Sequence, residues 1–439
     1  MAIAAIGLVF LVAYGVAVLV FPPPSGRVIN GDAIQYYAYL RSIVFDRDLD
    51  FSNDYRLLYG DEPDGNVWLR GTTDTGRLSN VMSIGPALLW MPLYLTFYLG
   101  VTIVGGVRAA ALNGTEPILE AATGFAGSLY GTLGAYFCYR ACRLFGSAPA
   151  AFWGTLVAWL AGPGIYYSLV SPTYSHATSL FAVAWFCWYW LSTRDRADYV
   201  RWAAVGALGG LAALVRWQDG VILLLPALEV LNLLHRRTIS RYHALGALAI
   251  VAMAAALVLL PQLIAWRAIY GRLLLMPQGP GFMRWGSPNI TAVLFSLRHG
   301  LFSWTPALGP AVIGLAVLAR RDPLAGWGGL AVVAVSVYVN AAVEDWWAGE
   351  AFGARRFVGD TVFFALGLSA IFSIPALMRR GLAVTWLASA AIVYNLLFVL
   401  QYQMFMRGFR TLVSYPAGAR EIFLDRLLVP WHLVRNWLS

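Results

Sequence analysis

Apolar residues run along this chain in blocks of about twenty, separated by short turns rich in arginine, glycine and proline. A helix needs about 20 apolar residues to cross the hydrocarbon core of a membrane. Every backbone amide there must be satisfied inside its own segment. Blocks at 3–21, 119–141, 148–169, 177–192, 202–217, 220–235, 243–268, 303–319, 325–342, 358–378 and 382–402 therefore predict eleven transmembrane helices. The alternating pattern of a membrane barrel strand is missing. The expected fold class is an all-α polytopic membrane protein, with residues 1–439 forming one transmembrane domain. One further apolar stretch, 83–105, carries Pro86 and Pro92, which interrupt helices, and reads as a juxtamembrane segment instead of a twelfth span.

Loop arginines orient the set, because cytoplasmic loops are enriched in basic residues. Arg140/Arg143, Arg194/Arg196/Arg201, Arg236/Arg237/Arg241, Arg320/Arg321 and Arg379/Arg380 fall on one side if the predicted spans are right. That parity places the N-terminus inside and the C-terminus outside. The external segments are then a large first loop at 22–118, a second at 269–302, a short charged one at 343–357 and a tail at 403–439. Residues 420–437 of the tail form an amphipathic stretch suited to a membrane surface. The first 21 residues lack a basic start and a small-residue cleavage site, so they read as a retained span.

Composition sharpens this picture. Only 12% of residues are charged, against roughly 25% in a soluble domain. The net charge of +9 rests wholly on arginine, with no lysine in the chain. These arginines sit in short loops and form no basic patch, which argues against nucleic acid as a partner. Cys138, Cys142 and Cys187 lie inside apolar blocks, as inert thiols do. No phosphate-binding glycine loop, nucleophile elbow, zinc-protease helix or dinucleotide fingerprint occurs. No internal repeat with paired broken helices marks a transporter.

The chemistry-bearing residues lie outside the spans. Asp32 follows the first span directly, in Asn30-Gly31-Asp32-Ala33-Ile34-Gln35-Tyr36-Tyr37, and an ionisable group at the lip of a membrane helix is a functional candidate. Arg284, Arg298, Arg355, Arg356, Arg407 and Arg410 break the basic-inside rule. The planar fork of arginine suits phosphate oxygens; ion pairing with Glu344, Asp345 or Glu350, or contact with lipid headgroups, is the alternative. His176 and His299 fall at external helix ends, placed to donate to phosphate or sugar or to cap a helix. Asp46, Asp48 and Asp50 alternate in a way that suits Mg²⁺, Mn²⁺ or Ca²⁺, or else form a solvated turn and cap. Arg216-Trp217-Gln218-Asp219, at an outer turn, reads as a structural cap or an Arg–Asp pair.

An external loop opening on aspartate, a proline-bearing juxtamembrane segment and many spans together resemble the GT-C superfamily of membrane glycosyltransferases. The resemblance rests on Gly31-Asp32-Ala33-Ile34-Gln35-Tyr36-Tyr37 with Asp48-Leu49-Asp50-Phe51. It extends to Leu214-Val215-Arg216-Trp217-Gln218-Asp219, Gly300-Leu301-Phe302-Ser303-Trp304-Thr305-Pro306 and Phe352-Gly353-Ala354-Arg355-Arg356-Phe357. Ala33 stands where the O-mannosyl and aminoarabinose branches carry Glu, and Trp346-Trp347-Ala348-Gly349 keeps only the tryptophans of the oligosaccharyltransferase motif. The resemblance implies a polyprenyl-phosphate sugar donor, a glycan, lipid or protein acceptor, and Asp32 as general base with inversion. It implies Arg355, Arg356, Arg284, Arg298, His176 and His299 around the donor phosphate, and Tyr36, Tyr37, Trp285, Trp346 and Glu350 around substrate. From their alternation Asp48 and Asp50 remain the candidate ligands of a divalent cation, Mg²⁺ or Mn²⁺, and the bacterial inner membrane, with the site facing the periplasm, is the implied location. A flippase of a lipid-linked sugar, or a scaffold subunit, is the competing reading.

Overall fold

The computed structural model describes residues 2–20, 27–60, 69, 71–108, 111–406 and 417–438, with residue 19 and residues 436–438 described by backbone alone. Apart from two isolated bridges, regular structure among the described residues is helical. Helix α1 (Ala2–Val20) leads into α2 (Ala33–Arg41) and α3 (Ser52–Tyr59) of the first loop, then α4 (Gly85–Leu99). A bundle follows: α5 (Pro117–Cys142), α6 (Ala148–Leu160), α7 (Ser175–Ser192), α8 (Tyr199–Val215), α9 (Leu224–His235) and α10 (Arg241–Tyr270). After the short α11 (Ile290–Phe295) and α12 (Leu301–Trp304) come α13 (Leu308–Ala319), α14 (Pro323–Ala342), α15 (Thr361–Phe372), α16 (Pro375–Met378) and α17 (Gly381–Met406). The chain closes on α18 (Ala419–Phe423) and α19 (Val429–Leu438). Several of these helices are long and apolar enough to span a bilayer, as in a multi-pass membrane protein.

Three predicted spans are divided. The block at 148–169 is helix only to Leu160, because Gly162-Pro163-Gly164 follows, and the chain then forms a π-helical turn, Tyr166–Val170. Pro306 separates α12 from α13, and Pro375 opens α16 after a break at Ser373. Proline lacks the amide a continuing helix needs, so each break falls at or before it. Segment 85–104 departs the other way. Pro86 sits in its first turn, where the missing amide costs nothing, and Pro92 lies inside a continuous helix. With the π turn Gly100–Val104 it is 20 residues long, enough to cross a membrane by length and composition. Its start presses on the last turn of α8, where a Cβ on Gly85 would lie 2.2 Å from the Leu214 carbonyl oxygen. Further along, Trp90, Tyr94 and Tyr98 pack on Tyr36, Tyr37 and Phe45, so α4 runs beside α2 and its extension.

The five arginine clusters gather at one end of the bundle. Arg140 lies over the Trp188 ring at 5.0 Å, Arg194 over Phe145 at 5.9 Å, and Arg194 pairs with Asp322 at 2.6 Å. Arg321 reaches the Ser373 carbonyl at 3.3 Å, and His243 meets the Ala197 carbonyl at 2.9 Å. Ser147, Asp198, Ser240 and Asp322 cap the helices that start at this end. A buried pair, Arg201–Glu229 at 2.8 Å, is completed by the Trp190 indole N–H at 2.7 Å.

The core lies where α6, α7, α13 and α15 meet, and Thr361 to Ala370 of α15 are buried throughout. Cys138, Cys142 and Cys187 are free thiols inside this packing. Helices α13 and α15 touch backbone to backbone: a Cβ on Gly367 would lie 1.9 Å from the Ala311 carbonyl oxygen. Overpacking such a contact costs about 1–3 kcal/mol. Gly367→Val is therefore expected to lower the unfolding midpoint in detergent by several degrees, whereas Ile313→Val on the exposed face of α13 leaves it unchanged.

Candidate active site

Asp32 owes its position to Gly31, whose φ of +53° lies in the left-handed region open to glycine at little cost. A Cβ there would also fall 2.6 Å from the Tyr174 hydroxyl. The turn aims the Asp32 carboxylate across the bundle at the segment before α15, where Oδ2 meets Arg355 Nη1 at 2.7 Å. Arg355 in turn lies over the Tyr174 ring at 5.7 Å. Tyr174 stacks on His176 at 6.1 Å between centroids, and His176 packs on Tyr167 at 4.4 Å. Arg216, extended at the end of α8, donates Nη1–H to Nδ1 of His176. Arginine has no acceptor, so the imidazole nitrogen accepts. Ser175 donates to the Tyr36 hydroxyl at 2.9 Å.

Of these groups Asp32, Tyr36, His176, Arg216 and Arg355 line one cavity of about 280 Å³, together with Arg356. Its roof is the second loop, pinned by backbone bonds from Arg284 N to the Ala342 carbonyl at 2.5 Å and from Glu344 N to Phe282 at 2.8 Å. Arg356 donates to the Asp345 carbonyl at 3.0 Å and carboxylate at 2.7 Å. Burial alone would weaken the charge on Arg355, but Asp32, aided by Tyr167, Tyr174 and Tyr36, raises its pKa above the usual guanidinium value. For Arg356 burial prevails over Asp345 and the shift is downward.

The sequence candidates divide on this frame. Asp32, Tyr36, His176, Arg355 and Arg356 share the cavity. Trp346 and His299 line a small neighbouring pocket that also touches Arg355 and Arg356. His299 Nδ1 lies 2.7 Å from the Trp347 carbonyl, and Arg298 lies over the Trp347 ring at 4.3 Å. Tyr37 is a correction: its hydroxyl is sequestered against Tyr94 at 3.0 Å and the Gly114 carbonyl at 2.5 Å, which makes it a packing residue. Arg284 pairs with Glu344 at 2.5 Å on the surface, and Trp285 stacks on Tyr338, half exposed. Neither they nor the exposed Glu350 line the cavity. Arg407 and Arg410 lie outside the described residues.

Arg216 and Tyr174 are functional candidates that the sequence reading missed. Arg216 breaks the basic-inside rule just as Arg355 does, but Asp219 three residues on suggested a local pair. In the fold Asp219 instead accepts from Ser179 at 2.5 Å.

A divalent cation needs several converging oxygens. The aspartates of the first loop are spent on local structure instead. Asp46 takes Arg41 at 2.6 Å and Asn53 at 2.9 Å, and Asp48 takes Ser42 at 2.9 Å. Asp50 caps Ser52 at 2.6 Å, and that bond holds its pKa below the usual carboxylate value against the opposing effect of burial. Among the described residues no group of three or more His, Cys, Asp or Glu side chains gathers to hold a metal. Asp48 and Asp50 therefore do not fit a metal site and form a turn and cap.

Two outcomes follow from this geometry. Gly31→Ala forces a non-glycine residue to positive φ against Tyr174, at a cost of about 1–2 kcal/mol, read as a lowered unfolding midpoint. Burial lowers His299 from 6.5 to about 4, and the Trp347 carbonyl only partly opposes it. The unfolded chain then binds the extra proton between about pH 4 and 6.5, so stability from neutral His299 is complete above that window and is lost as pH falls through it. His299→Asn should flatten the pH dependence of unfolding across that interval.

No family model matches the chain, and no curated protein sequence matches it. Solved structures do. ArnT from Cupriavidus metallidurans, bound to undecaprenyl phosphate, superposes with a TM-score of 0.51 at 16% identity, over 98% of this chain and 76% of that one. The archaeal oligosaccharyltransferase AglB from Archaeoglobus fulgidus, in complex with an inhibitory peptide and a dolichol-phosphate, superposes at 0.50 and 15% identity. That match covers 90% of this chain, which spans 56% of AglB's length. At these identities the likeness is one of architecture: the chain shares the fold of these two proteins.

Proposed function

We propose that this chain is a membrane glycosyltransferase that moves a sugar from a polyprenyl-phosphate donor to an acceptor hydroxyl on a glycan, lipid or protein. The carrying observation is the convergence of one half-exposed carboxylate, Asp32, with Arg216, Arg355 and Arg356 around one cavity. The lipid phosphates bound in ArnT and AglB support the donor class. The gathering of the arginine clusters at the opposite end supports a site on the outer face of a bacterial inner membrane, by the basic-inside rule.

In this reading Asp32 accepts the proton of the acceptor hydroxyl as that oxygen bonds to the anomeric carbon. The bond from that carbon to the phosphate oxygen breaks, and its electron pair leaves on the polyprenyl phosphate. Attack from the face opposite the leaving group gives inversion. Arg216 and Arg356 hold the phosphate charge, and Arg355, with five donors in one plane, reaches phosphate and Asp32 together. His176 fixes Arg216, and Tyr36 and Trp346 supply aromatic faces for the sugar.

Transfer from radiolabelled polyprenyl-phosphate sugars to membrane acceptors tests the reading. Asp32→Asn is expected to cost about 10²–10⁴ in rate, and Arg355→Gln about 10²–10³. Equal transfer by wild type and Asp32→Asn would remove the base from Asp32. Donor translocation without transfer by either protein would favour a flippase. The same assay with EDTA decides whether a metal takes part.

A further inference from the structure

We propose that the groove between α17 and the segment Asp425–Leu428 is a binding site for an anionic phospholipid with a hydroxylated headgroup, its phosphodiester held by Arg426. Arg426 is fully buried, and none of Nε, Nη1 and Nη2 has a hydrogen-bond partner. The rings of Tyr394 and Phe398 lie 4.1 and 3.8 Å from its guanidinium carbon. They attract the cation but accept none of its five protons in the plane. A buried, unpaired charge is costly, and a bound anion removes that cost. Burial lowers the Arg426 pKa to about 10, which leaves the side chain charged at neutral pH.

The surroundings select the ligand. Arg426 borders a cavity of about 510 Å³ whose other walls include Ala161, Pro306, Ala390, Val393 and Leu397, which suit an acyl chain. Asn395 lines the same cavity. Its Nδ2 donates to the Leu160 and Gly162 carbonyls at 2.9 and 3.0 Å, which leaves Oδ1 buried and without a donor. The groove thus presents one cation and one acceptor. A phosphodiester carries one negative charge, and a headgroup hydroxyl supplies the missing donor; phosphatidylglycerol has both. The catalytic cavity, by contrast, gathers three arginines. An aromatic layer separates the two sites, with Phe398 packed on Trp304 at 4.7 Å and on Phe352 at 5.5 Å.

The test uses the full chain in mild detergent, with native mass spectrometry and thermal unfolding against added phosphatidylglycerol, phosphatidylethanolamine and undecaprenyl phosphate. Wild type is expected to retain one phosphatidylglycerol and to gain thermal stability from it. Arg426→Gln should weaken that binding at least tenfold while matching or exceeding the lipid-free stability of wild type. Ala390→Trp, which fills the groove from its exposed rim and leaves Arg426 in place, should abolish retention independently. Equal retention by wild type and both variants overturns the proposal. So does preferential retention of either of the other two lipids by wild type.

Discussion

A charge in the middle of a membrane-spanning helix costs about 2.5–3.5 kcal/mol even by lenient insertion scales. That constraint places the polar groups of the cavity where helices stop. Asp32 follows α1, His176 opens α7, Arg216 follows α8, and Arg355 and Arg356 precede α15. The bundle brings these termini to one depth, so the cavity is assembled from the ends of elements. The Asp32–Arg355 pair joins two of them, yet with side chains 38% and 12% exposed its direct worth to stability is modest. Its importance is positional: it fixes where a carboxylate stands relative to the guanidinium groups.

Glycine and proline make this assembly possible. Gly31 allows the turn that aims Asp32, and Gly85 lets α4 close on α8 directly behind Arg216. Breaks near Pro163 and Pro306 divide apolar runs that would otherwise continue as single helices. The opposite end is built differently, from capped helix starts and ion pairs such as Arg194–Asp322. One end is tied by local bonds, and the other surrounds a cavity.

Most apolar blocks were legible as helices because a twenty-residue apolar block in lipid has one solution. The helix breaks were less so, since apolarity continues through Pro163, Pro306 and Pro375 although the hydrogen-bond ladder does not. Asp32 and Arg355/Arg356 stood out as charges where a membrane protein tolerates few. Arg216 was hidden by a nearby carboxylate that local spacing favours as its partner. Tyr37 misled because neighbouring aromatics on a short helix point to different faces, and only packing shows which one meets the cavity. The aspartate run of the first loop reads the same as a cation site or a turn until its donors are seen.

The three cysteines carry a practical consequence. All are buried in the bundle as free thiols, with no more than 1% of each exposed. Water-soluble thiol reagents therefore meet no reactive native sulfur on the folded protein. A single cysteine placed on the cavity rim would report alone, making the native chain its own silent background for mapping which walls a substrate covers.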